Sequence, residues 1–244
     1  MDQSRTIKFT VIFTAVFILS FAVLIYGPWP QDQSYHHFSD SRFLLFQNGL
    51  NVLSNLIFLL AGLYGLIFLP RYSRDRQIAG VFYLSLVFVC FGSAYYHFQP
   101  HDASLVWDRL PMTFSFLALV AQIFVILFSI PKVNYIFYLF LLLGPLSLLY
   151  WQLMNDLSFY LIIQFGGMVF LLLSLLLFKF DGYQKRYLWL CFLFYGLAKI
   201  TEILDTQIYH LTSEVISGHS LKHLLAGMGA AVLVHFYSLF NFRG

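Results

Sequence analysis

Residues 78–98 read IAGVFYLSLVFVCFGSAYYHF, a run of 21 residues without Asp, Glu, Lys or Arg whose last two turns carry Gly92, Ser93 and His97. Crossing roughly 30 Å of hydrocarbon takes a helix of about 20 residues, so this run is long enough to span a bilayer. Lipid offers the backbone no hydrogen-bond partners, and a helix supplies them internally. The polar end of the run is the exception to its composition. Ionisable side chains within a span are costly and mark function by default.

The rest of the chain repeats the pattern. Its 244 residues are 60% hydrophobic, 20% aromatic and only 10% charged, with a mean hydropathy of +0.77. These values exclude an ordinary soluble domain. Further apolar runs lie at 7–27, 49–70, 105–130, 133–153, 158–179, 186–206 and 218–240, which makes eight spans, 186–206 being the weakest. The expected fold is an all-α polytopic transmembrane helix bundle, one domain over residues 1–244, with short connections after the long 28–48 loop. Run 7–27 reads as a true helix and not a cleaved signal peptide. No small-x-small site follows it, and Tyr26-Gly27-Pro28-Trp29-Pro30 has the character of an interfacial aromatic anchor.

Arg5, Lys8, Arg71, Arg74, Arg76, Lys132, Lys179, Lys185, Arg186 and Arg243 fall in loops on one side of this topology, and only Arg42 falls opposite. The positive-inside rule then places both termini in the cytoplasm. The net charge of +3 follows from these loop cations and does not imply a nucleic-acid partner. Cys90 and Cys191 both lie in apolar runs and read as small buried hydrophobes. Gly62, Gly65, Gly166, Gly167, Gly227 and Gly229 are expected to let helices approach closely.

Ser93 and His97 are four apart and share a helix face. Pro100 should end that helix at or just before Gln99, leaving His101 in the loop. A short hairpin returns Asp108, with Arg109 beside it, to the depth of His97. The last run opens Gly218-His219-Ser220-Leu221-Lys222-His223, and two histidines at i and i+4 can bind one ion. Topology puts this helix start on the same membrane side as His97, the non-cytoplasmic one. His235 lies roughly 18 Å further along the same helix and cannot join them. His36, His37 and His210 fall in loops or at helix ends.

Three neutral imidazoles around Zn²⁺ leave a fourth position open, as in catalytic sites. The ion acidifies its water and polarises a carbonyl. A nearby carboxylate can move the proton, and a hydroxyl can bond the developing oxyanion. Asp108 and Ser93 are the candidates for those roles. A Ser-His-Asp triad uses the same residue types, but it leaves His219 and His223 without a role. Asn51, Ser54 and Asn55 add polarity to the second run, and Lys199, Glu202 and Asp205 to the seventh. Glu202 and Asp205 could orient a ligand imidazole, or pair with Arg109 or Lys199.

These pieces resemble the alkaline ceramidases, from the superfamily that also holds adiponectin-receptor-like and haemolysin III-like membrane proteins. The matching residues are Asn51-x-x-Ser54-Asn55-Leu56, Gly92-Ser93-x-x-x-His97, Asp108 with Leu110-Pro111-Met112, and His219-x-x-x-His223, across residues 47–240. The resemblance implies a seven-helix core preceded here by one extra amino-terminal helix. It implies zinc held by His97, His219 and His223, with Ser93 and Asp108 as the catalytic pair. The implied reaction is hydrolysis of the ceramide amide, or that of another long-chain lipid amide, to a sphingoid base and a fatty acid. The family's calcium-binding segment is a departure. Asn48 stands where the family has Glu, and residues 32–42 keep only Asp32 and Asp40, which puts a Ca²⁺ site in question. A receptor-like or structural role, with zinc bracing the bundle, is the alternative within the superfamily. An ion transporter is a third reading, opposed by the apolar cytoplasmic halves of the spans.

Overall fold

The computed structural model describes residues 3–40, 46–69, 76–130 and 135–238. Arg42, Arg71, Arg74, Lys132 and Arg243, on which part of the topology reading rests, lie outside them. Helices make up the fold: α1 (Gln3–Tyr26), α2 (Gly49–Leu53), α3 (Leu56–Phe68), α4 (Arg76–Phe98), α5 (Asp102–Leu127) and α6 (Tyr135–Met154). After them come α7 (Ser158–Leu161), a π-helical turn at Ile162–Gly166, α8 (Gly167–Leu177), α9 (Gly182–Ile203), α10 (Asp205–Leu211) and α11 (Gly218–Ser238).

Among the described residues six helical stretches are long and apolar enough to cross a membrane, or seven if α9 and α10, bent by 79° at their junction, count as one span. The protein is therefore an integral multi-pass membrane protein. Two of the eight expected spans differ from plain apolar helices. The weakest run is the bent pair. The last, α11, keeps the expected helix of 21 residues, but His219, Lys222 and His223 in its first two turns hold it below the apolarity of the other six.

α4 packs against α3 and α5, α11 against α9 and α3, and α5 also against α6, so these helices wall a common interior. α1 stands outside, against α8 and the π-helical turn. It is anchored there by Phe9, whose ring lies 4.4 Å from that of Phe128 and 4.9 Å from that of Phe178. Lipid-facing residues such as Phe17 and Ile67 are exposed, as expected where hydrocarbon is the solvent. With little hydrophobic drive between helices in lipid, close packing at small residues holds such bundles together. A methyl on Gly65 would meet the Tyr83 ring at 2.0 Å, and one on Gly227 would meet Ile57 at 2.5 Å. Gly166 makes only ordinary contact, 3.4 Å from Val16.

An equally tight approach, here against backbone, lies beside the polar residues. A methyl on Gly92 would sit 2.0 Å from the Trp107 carbonyl oxygen. Pro111 lies inside α5, four residues after Trp107, and lacks the N–H that would bond that carbonyl. The carbonyl is left to rest on Gly92, which brings α4 and α5 together where Ser93 and Asp108 project.

Candidate metal centre

His97 ends α4, where Pro100 stops the helix, and His219 and His223 open α11. All three imidazoles are buried, at 1%, 5% and 3% exposure. One ring nitrogen from each lies within 4.8 Å of the other two. The Nε2 atoms of His97 and His219 face each other at 3.2 Å. Tetrahedral zinc with Zn–N distances of about 2.0–2.1 Å sets its nitrogens about 3.3 Å apart. The cluster can hold a metal ion, and its all-imidazole donor set and spacing fit zinc.

The tautomer of His223 supports this. Ser54 Oγ is 2.7 Å from His223 Nδ1 and donates its own proton to the Asn51 carbonyl, 3.1 Å away. It therefore accepts from Nδ1–H, which leaves the lone pair on Nε2 directed at the other two rings. Such outer partners fix the orientation of metal-binding histidines. Ser54 stands where the second span breaks between α2 and α3. Asn55 Nδ2 bonds the Asn51 carbonyl at 2.8 Å, and Asn51 Oδ1 accepts from Ser217 Oγ and Ser220 Oγ at 2.9 and 2.7 Å. The broken span thus ties the start of α11 in place. In sequence, Asn51, Ser54 and Asn55 are legible as polar groups in an apolar run and as one of the pieces that carry the resemblance. Their spacing of three and four was the available signal.

Glu202 and Asp205 act differently from acceptors of a ligand imidazole. Glu202 forms ion pairs with Lys199 and Lys222. Asp205 Oδ1 accepts from the backbone N–H of His219 at 2.7 Å, and Oδ2 from that of Ser39 at 3.0 Å. Asp205 holds the ligand-bearing helix by its backbone and pins the 28–40 loop beside it. A methyl on Gly218 would strike the Thr201 carbonyl oxygen at 2.1 Å, so glycine is what lets α11 begin against the α9–α10 bend.

Ser93 and Asp108 lie next to each other on the wall of one space. Serine and acid thus meet without an imidazole between them, unlike a nucleophilic triad. Asp108 Oδ1 is buried with no hydrogen-bond partner among the described residues, as is His97 Nδ1. Ser93, Asp108 and His223 line one polar chamber of about 260 Å³, together with Arg109, Lys199, Glu202 and Lys222. A second cavity of about 220 Å³ is lined mostly by apolar residues, among them Leu86, Leu119 and Leu233. Phe58, Val89, Met112 and Tyr160 line both spaces.

The loop before α2 roofs the centre. Phe38 lies edge-on to His97 and His219, 4.6 Å from each ring. His36 bridges Tyr96 Oη and Asp102, each at 3.0 Å, and His101 caps α5 by accepting from Ser104 N–H at 3.1 Å. His235 stacks on Tyr187 at 4.9 Å. None of these three histidines joins the cluster. The two acids of the loop serve its backbone. Asp32 accepts from Ser34, which lowers its carboxyl pKa. Asp40 accepts from Asn51 N–H at 2.9 Å, while burial pushes its carboxyl up. Asn48 donates to the His97 carbonyl at 3.2 Å.

No protein-family model matches this chain, and no similar curated protein is found. The molecule is thus defined by class: a polytopic helical membrane protein with a buried three-histidine cluster.

Proposed function

We propose that this protein is a zinc-dependent intramembrane amidase acting on a long-chain lipid amide, with ceramide as the reference substrate and a sphingoid base and fatty acid as products. The observation that carries the reading is the chamber, in which Ser93, Asp108 and His223 share one space whose wall residues Phe58, Val89, Met112 and Tyr160 also line an apolar cavity. A purely bracing zinc needs no such space.

His97, His219 and His223 would hold the ion. Bound there, zinc supplies an acidified water and a polarising charge for the amide carbonyl. Asp108 takes a proton from the attacking water and delivers it to the departing amine nitrogen. Ser93 is held beside Asp108 and offers its hydroxyl to the carbonyl oxygen as negative charge develops there. The apolar cavity takes a hydrocarbon chain, and Phe38 shields the centre from the aqueous face. The non-cytoplasmic placement of the centre, expected from loop charges, belongs to this proposal.

Purified protein in detergent should contain about one zinc per chain and release fatty acid from a panel of lipid amides. Asp108→Asn should keep its zinc and lose 10²- to 10⁴-fold in turnover, whereas His219→Ala should lose the metal. A folded, zinc-loaded wild type that cleaves no member of the panel refutes the enzyme reading.

A further inference from the structure

Arg109, Lys199 and Lys222 are the cations that the loop-charge count leaves over, and all three line the polar chamber. Two of them are ion-paired, since Lys199 and Lys222 both contact Glu202. Arg109 is not: it has no ion pair among the described residues, although it is only 7% exposed. Its Nη2 donates to Gln31 Oε1 at 2.8 Å. The guanidinium lies 4.8 Å from the ring centres of Trp151 and Tyr160 and 5.6 Å from that of Tyr35. Nη1 is buried without a hydrogen-bond partner among the described residues. A buried charge is costly unless it is paired, and aromatic faces offset only part of that cost. A structural latch between α5 and the 28–40 loop would use Nη2 and leave Nη1 with nothing to bond.

We propose that Arg109 is an anion-recognition residue of the chamber, receiving a carboxylate or phosphate oxygen of an acidic lipid whose chain occupies the adjoining apolar cavity. The planar guanidinium, held in one orientation by three rings and Gln31, suits a two-oxygen acid group better than an ammonium would. This deepens the amidase reading and rests on it for the nature of the lipid. Two sources supply such an oxygen: an acidic group on the amine side of the substrate, or the carboxylate released by hydrolysis.

Equilibrium binding to the purified protein in detergent tests the idea with three probes that share one chain: N-oleoylglycine, N-oleoylethanolamine and oleate. At least one acidic probe should bind wild type roughly tenfold or more tightly than the neutral amide, the scale of a charge-assisted hydrogen bond. Preference for N-oleoylglycine identifies the substrate side as the source, and preference for oleate alone identifies the product. Arg109→Gln should abolish the preference, and Arg109→Lys should retain part of it. Equal binding of all three probes by wild type overturns the inference, and that comparison stands even where Arg109→Gln does not fold. So does a preference that survives in a folded Arg109→Gln. Binding needs no turnover, so Arg109-dependent acid selectivity without cleavage of any amide would remove the amidase reading and leave this one.

Discussion

Ser54→Ala probes the metal centre through a residue that is not itself a candidate ligand. Ser54 Oγ holds His223 Nδ1 at 2.7 Å and is itself held by the Asn51 carbonyl at 3.1 Å. Removing it leaves a buried ring N–H without its acceptor, which costs about 1–3 kcal/mol, and frees the imidazole to change tautomer. Loss of such outer partners weakens metal binding about 10- to 100-fold. The Asn51 carbonyl lies 3.1 Å from the lost hydroxyl oxygen and is near enough to accept in its place, so the lower end applies. Zinc affinity should fall about tenfold, or about 1.4 kcal/mol. The assay is competition against a chromophoric chelator near neutral pH in detergent. Ser85→Ala is the control, since Ser85 Oγ bonds only back to Val81 in its own helix at 2.7 Å, and its affinity should match wild type. If Ser54→Ala binds zinc as tightly as wild type while His223→Ala does not, the hydrogen bond does not set the ring's tautomer and the reasoning fails.

Three further outcomes are expected. Gly92→Ala drives a methyl to 2.0 Å from a backbone carbonyl, an overpacking worth about 1–3 kcal/mol; it should lower the melting temperature by several degrees, whereas Gly80→Ala, with nothing within 4 Å, should not. Chelation of zinc should destabilise wild type by about 2.7 kcal/mol when the metal had been present at 100 times its Kd, and leave the melting curve of His219→Ala unmoved. Burial raises the carboxyl pKa of Asp156, but bonds from Trp29 N–H, the Ser158 N–H and hydroxyl, and the Tyr150 hydroxyl outweigh it, and the net direction is down. Its contribution to stability is therefore present above the usual carboxylate range and lost as pH falls through the lowered folded value. Thermal unfolding below about pH 4 should show that loss, and Asp156→Asn should flatten it.

Much of the centre was legible because membrane composition makes polar residues conspicuous. In a soluble protein, three histidines scattered over 127 positions, from His97 to His223, would carry little weight. In a run such as 78–98 each one stands against an apolar background. Helix periodicity and the alternation of spans then bring His97 to the level of His219 and His223. The partners of these residues were harder to read. Glu202 and Asp205 read equally as supports for an imidazole or as partners of Arg109 or Lys199; Glu202 pairs with Lys199, and with Lys222 as well, while Asp205 accepts from backbone N–H groups. An ion pair between α9 and α11 depends on which faces of the two helices meet, and hydropathy is silent on that.

By itself, the sequence determined that the chain is a helical membrane protein, where six of its spans run, and which three histidines share a level. Those properties follow from the length of apolar runs and the 1.5 Å rise of a helix, both local quantities. Only the tertiary structure decided that Ser54 orients His223, that Phe38 roofs the histidines, and that Arg109, without an ion pair among the described residues, lines a chamber sharing wall residues with an apolar cavity. Each of these depends on how helices rotate and how closely they approach one another. That is set by side-chain packing at places such as Gly92 against Trp107, where contacts far apart in the chain act together.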